Sequence, residues 1–111
     1  MTQKVLVIDV NDTTEKHQQL LDGPPQTLGM RSGRLCLQPD QACSQHSTHE
    51  NEEMLVFLTG QGQALIGTDQ TPKDVAQGKI LYIPPNTIHS IKNTAKAPLT
   101  YIYCVVPVKS E

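Results

Sequence analysis

Apolar residues in this chain fall in short β-branched runs broken by Gly, Pro, Asn and Asp, not at the three-to-four spacing of an amphipathic helix. Residues 4–10, KVLVIDV, read as a strand at a sheet edge or bridging to another subunit, and Asn11 and Asp12 end it. Asp12 followed by Glu15 has the form of a capping box, which predicts a short helix through about Leu21 that docks by Leu20 and Leu21. Asp22-Gly23-Pro24-Pro25 stops it. From Thr27 onward the pattern is strand and turn, with strands predicted over residues 34–38, 54–59, 63–66, 79–83, 89–92 and 99–108. Gly60-Gln61-Gly62 is the clearest hairpin turn, residues 67–73 form a second turn region, and Pro84-Pro85-Asn86 makes a tight corner. Residues 54–58 are apolar on both parities, which fits two packed sheets or a small barrel better than an open sheet. The outward apolar residues need cover, and a second copy of the chain is the simplest cover, so a homodimer is expected.

A length of 111 residues sets one domain with a core of its own, and the N-terminal 1–33 reads as a strand and helix extension packed on a barrel at 34–108. Acids and bases are interspersed, with a formal charge of -2 and no basic face, which argues against a nucleic-acid partner. No basic start precedes an apolar core and no apolar run approaches a membrane span, so neither membrane insertion nor export is expected and the cytoplasm is the default location. Cys36, Cys43 and Cys104 form no C-x-x-C pair and are read as reduced thiols, Cys104 in the core and Cys43 in a polar loop.

Candidate chemistry gathers in residues 46–60, HSTHENEEMLVFLTG, where two imidazoles and a carboxylate precede a run of strand formers. Alternate strand residues share a face, so His49, Asn51 and Glu53 project together if the strand already runs from His49. His89, after the Pro-Pro-Asn corner, can join them from a neighbouring strand and leave coordination positions open. His46 has the opposite parity and joins only if a bulge or irregular stretch lies around Ser47 and Thr48; Ser47 has the right parity but is a poor ligand. The fourth histidine, His17, is read as solvated, as are Glu50 and Glu52. Tyr82, Tyr101, Tyr103, Phe57 and Met54 compete for pocket and packing positions. Arg31 and Arg34 are the only arginines, and solvated surface is expected for both over a grip on a substrate carboxylate.

These residues resemble the two motifs of the cupins, small single-domain conserved-barrel members in particular, over about residues 34–107. The first motif is written G-x5-H-x-H-x3,4-E-x6-G. His49 stands at its second histidine, Glu53 follows after three residues and Gly60 after six more, with His46-Ser47-Thr48-His49 one residue longer than H-x-H. The second, G-x5-P-x-G-x2-H-x3-N, is matched by Gly78, Pro84, His89 and Asn93, with Asn86 where Gly is usual; Asn tolerates the left-handed backbone such a Gly supplies. The resemblance implies a double-stranded β-helix, or jelly roll, and one divalent transition metal ion held by three His and one Glu, here His46, His49, Glu53 and His89. Nitrogen-rich ligation suits Fe, Mn, Ni, Co, Cu or Zn. It further implies a metal-dependent enzyme of oxygenase, isomerase or lyase type acting on a small polar or carboxylate-bearing molecule, or a non-catalytic barrel that binds a small ligand or metal.

Overall fold

A computed structural model describes residues 2–109. Its strands are β1 (His17–Asp22), β2 (Arg31–Leu37), β3 (His46–Ser47), β4 (Asn51–Thr59), β5 (Gln61–Ile66), β6 (Thr71–Ala76), β7 (Ile80–Ile83), β8 (Ile88–Lys92) and β9 (Leu99–Pro107). They form a five-stranded sheet in the order β1-β2-β9-β4-β7 and a four-stranded sheet in the order β3-β8-β5-β6. From β2 to β9 the chain crosses repeatedly between the sheets, so two segments distant in sequence can face each other across the interior. This is the jelly roll, and no helix occurs among the described residues.

Alternation decides what fills the interior. On β4 Glu53, Leu55 and Phe57 are buried while Met54 and Leu58 face out. Register carries the same face into the neighbours: Phe57 pairs with Tyr101, Leu55 with Tyr103 and Leu81, and Glu53 with Val105 and Ile83. The Phe57 and Tyr101 rings sit 5.3 Å apart, and with Leu37, Ala64, Val75 and Leu99 they close one end of the barrel. Four residues back along β4 from Phe57, the same face has become the carboxylate of Glu53. The interior therefore grades from a sealed apolar end to a polar end.

Several turns are set by single residues. Gly60 (φ 85°) makes the reversal between β4 and β5, so β5 begins at Gln61 instead of after a three-residue turn. Asn93 is fully buried and satisfied, donating to the carbonyls of Leu37 and Ala97 and accepting from the Ala95 amide. It ties the end of β2 to the turn that joins β8 and β9, which accounts for its place at the end of the second motif.

The N-terminal third departs from expectation. Residues 12–21 are not helical; residues 17–22 are strand β1, paired antiparallel with β2 and bulged between Gln19 and Leu21. The backbone groups a helix would pair internally are taken elsewhere: the Cys36 amide donates to Lys16 O, and the Gln18 side chain bonds the Asn11 amide and Asp9 carbonyl. Propensity yields to that edge ladder. Residues 4–10 are not laddered at all, and Val5 and Val7 are 97% and 96% exposed. β6 was unexpected because Thr71-Pro72-Lys73-Asp74 is polar and contains a proline; it is the outer strand of its sheet, where both features are tolerated. Arg34, expected at the surface, is fully buried, with Nη2 donating to Glu15 O.

Candidate metal centre

Three side chains converge at the polar end: His46, Glu53 and His89, each offering a ligand atom within 4.8 Å of the others. His46 and His89 are directly opposed across the β3/β8 ladder, so both imidazoles leave on one face. Their ring centroids lie 4.3 Å apart at 64°. Glu53 arrives from the other sheet, with Oε1 3.1 Å from His89 Nε2. Glu53 and His89 are buried, while His46 is at the exposed rim.

Hydrogen bonds outside the cluster orient both rings. His46 Nδ1 lies 2.8 Å from Ser44 O, and His89 Nδ1 lies 3.0 Å from Thr87 O. A carbonyl oxygen only accepts, so each Nδ1 carries the proton and each Nε2 is left for the cluster. Outer partners of this kind fix the tautomer of metal-ligating histidines. Two Nε2 atoms and a carboxylate on one side of a cavity of about 390 Å³ fit a divalent transition metal with positions left open.

Without a metal, burial works against a charged His89, but the Glu53 hydrogen bond, the Thr87 carbonyl and the Glu53 charge outweigh it and raise its pKa. A raised folded pKa contributes stability that is complete below the unfolded histidine value of about 6.5 and is lost as pH rises through the folded value. The chelated protein is therefore expected to melt lower as pH rises above the ordinary histidine value of about 6.5. Metal uptake must displace that proton, so calorimetric titrations in two buffers of different ionisation enthalpy will show proton release on binding.

His49 is not in the cluster. It is exposed in the turn before β4, with φ 52°, and its carbonyl accepts from the Asn86 amide. The expected strand starts two residues later, at Asn51, and the left-handed backbone turns the His49 side chain away from the face that Asn51 and Glu53 share. What stands two residues after His46 is Thr48, which is buried. Its hydroxyl donates to Pro84 O at 2.7 Å and accepts from the Thr87 amide at 3.0 Å. Thr48 thus pins the loop carrying His46 to the corner that precedes His89. Thr48→Val leaves that amide and carbonyl unpaired and should cost about 1–3 kcal/mol, read as a lower melting temperature.

His17, expected at the surface, sits on β1 and lines the cavity, its Nε2 2.9 Å from the Tyr103 hydroxyl and its ring stacked on that phenol. Gly33 makes this possible, because a Cβ there would meet the Tyr103 ring and hydroxyl. Burial and the Glu53 charge raise the Tyr103 pKa, so the hydroxyl stays protonated. Tyr101 and Cys43 also line the cavity, and Cys43 Sγ accepts from the Ile91 amide at 3.1 Å. Met54 and Tyr82 face out, Tyr82 donating to Glu52, and Cys104 lies on the outward parity of β9.

Residues 33–106 match the cupin domain family. The chain is 36% identical over 62 residues to an uncharacterised protein of Methanocaldococcus jannaschii, a match spanning 56% of this chain and 48% of that one, so about half the length of the relative. An RmlC-like cupin family protein from the same organism, with a double-stranded β-helix fold, superposes with a TM-score of 0.76 at 21% identity, covering 96% of this chain and 93% of that one. The cupin domain of Schizosaccharomyces pombe Cnp3 superposes with a TM-score of 0.73 at 15% identity, covering 83% and 64%. These last two likenesses concern the fold.

Proposed function

This chain belongs to the cupin domain family, and we propose that it binds one divalent transition metal ion through His46, Glu53 and His89 and uses it in a reaction of oxygenase, isomerase or lyase type on a small polar molecule. The observation that carries this reading is the pair of Nε2 atoms, oriented from outside by Ser44 and Thr87 carbonyls, aimed with a carboxylate into one cavity. Two imidazoles and one carboxylate on one face are a donor set that leaves coordination positions free, and it favours Fe, Mn, Ni, Co, Cu or Zn over the oxygen-seeking Mg and Ca. When bound, such an ion supplies Lewis acidity toward substrate oxygens.

The chain's own groups supply the rest. Glu53 offsets the charge of the ion, the apolar wall of Leu35, Leu55, Ile91 and Val105 limits water, and the Tyr103 hydroxyl presents a proton from the wall. Protein purified without chelator should carry close to one equivalent of metal by elemental analysis and turn over a member of a panel of diones, hydroxy acids and thiols. Metal well below one equivalent would overturn the reading. Ligand binding without product would place the protein among non-catalytic barrels.

The same reading includes a homodimer. Met54, Ile80 and Tyr82 are 41%, 65% and 57% exposed on the outward face of the five-stranded sheet, and strand register sets Met54 beside Tyr82 and Val56 beside Ile80. Ile80→Glu is expected to halve the mass measured by light scattering, through a charge placed in a desolvated contact.

A further inference from the structure

None of the nine lysine and arginine side chains lines the cavity. Arg34, adjacent in sequence to the lining residue Leu35, has the opposite parity to it, and its Nη2 is bonded to Glu15 O. Arg31 lies beside the backbone of Gly23. Away from His46, Glu53 and His89 the wall carries no Lys, Arg, Asp or Glu: Leu35, Leu55, Ile91 and Val105 are aliphatic, Cys43, Ser47, Thr48, Asn51 and Tyr101 are uncharged, and the Tyr103 hydroxyl is paired with His17. A carboxylate brought to that wall loses its hydration and finds no lysine or arginine to pair with. A hydroxyl, amide or carbonyl finds a partner, because the Tyr103–His17 pair offers both a proton and a lone pair.

Resting on the metal-site reading above, we infer that the ligand has a single anionic or chelating head at the metal group and an uncharged tail whose polar end meets Tyr103 and His17. Gly33 is part of this device. The phenol lies across its bare Cα to reach β1, so polarity at the tail end depends on a residue with no side chain. Dicarboxylates are thereby excluded, as are molecules with a phosphate or carboxylate at both ends. The Tyr103–His17 pair sets specificity for the tail and does not hold the metal.

The test compares three 2-hydroxy acids that share one chelating head: 2-hydroxyglutarate, its distal monoamide and 2-hydroxyhexanoate. Binding to the metal-loaded protein is measured by calorimetry at pH 8, above the ordinary histidine range of about 6.5. The monoamide and the dicarboxylate differ in one tail charge only, and the inference expects the monoamide to bind at least about tenfold tighter. Tyr103→Phe should remove the advantage of the monoamide over 2-hydroxyhexanoate. Should the dicarboxylate bind as tightly as the monoamide, or should none of the three bind to protein that carries metal, the inference fails while the metal site stands. Protein that takes up no metal at all overturns the metal-site reading, and the inference with it.

Discussion

Replacing His46 or His89 with Ala is expected to abolish stoichiometric metal binding, and His49→Ala to leave it intact. The contrast follows from where the three imidazoles sit. His46 and His89 are a cross-strand pair with Nε2 aimed at Glu53, whereas His49 is in an exposed left-handed turn. Loss of an outer hydrogen-bond partner alone typically weakens a metal site by about 10–100-fold, and loss of a direct ligand should exceed that. His89 is 2% exposed, so its removal also leaves a void and an unpaired Glu53. His46 is at the rim, and His46→Ala should keep the native circular-dichroism spectrum while losing the metal. Elemental analysis of the three variants decides it: metal retained by His46→Ala and lost by His49→Ala would overturn the ligand set.

Gly60→Ala is expected to be among the most destabilising single-methyl changes in the chain. Gly60 has φ 85°, and a Cβ there would meet the Pro98 carbonyl and come within 2.9 Å of Leu99 Cα, both backbone atoms that cannot swing aside. The left-handed conformation costs a residue with a Cβ about 1–2 kcal/mol, and forced overpacking a further 1–3 kcal/mol or so. At this chain length the sum corresponds to a fall of roughly 10–20 °C in melting temperature. Gly78 is the control. Its φ is 86°, but a Cβ there meets nothing within 4 Å, so Gly78→Ala should show only the conformational part. Equal losses at the two positions would mean that the Pro98–Leu99 turn gives way.

The second motif was readable because each of its residues does one local job. Gly78 takes φ 86°, Asn86 takes φ 56° as its substitution for glycine anticipates, and His89 and Asn93 follow on a regular strand and at its end. The first motif was harder because spacing alone admits two alignments. With three residues between histidine and Glu53 the count reaches His49, and with four between them it reaches Thr48, with His46 two residues before it. The structure follows the second count. Asp40, five intervening residues before His46, adopts φ 67° and stands where that motif has its first glycine. An aspartate able to take a left-handed turn was the available signal. Thr48 stands where the motif has its second histidine and braces the loop instead, which hides the match.

Nothing comparable marks His17. Its role depends on β1 joining the sheet and on the bare Cα of Gly33, and both are tertiary facts. A capping-box pattern at Asp12 and Glu15 pointed to a helix because local preference is all a short segment reveals on its own. The ladder to β2 then outweighs that preference.

β3 is two residues long and is held by two β8 partners, and one of those two residues is His46. Ladders so short open far more often than the whole domain unfolds. Each opening would withdraw the rim imidazole, and an ion held in the proposed site would then rest on Glu53 and His89, which are fixed to longer strands. Exchange of the bound ion with a competing chelator should therefore follow this fraying, proceeding while the barrel stays folded. Its rate should respond to changes at residues 44–48 far more than to changes in the sealed end around Phe57.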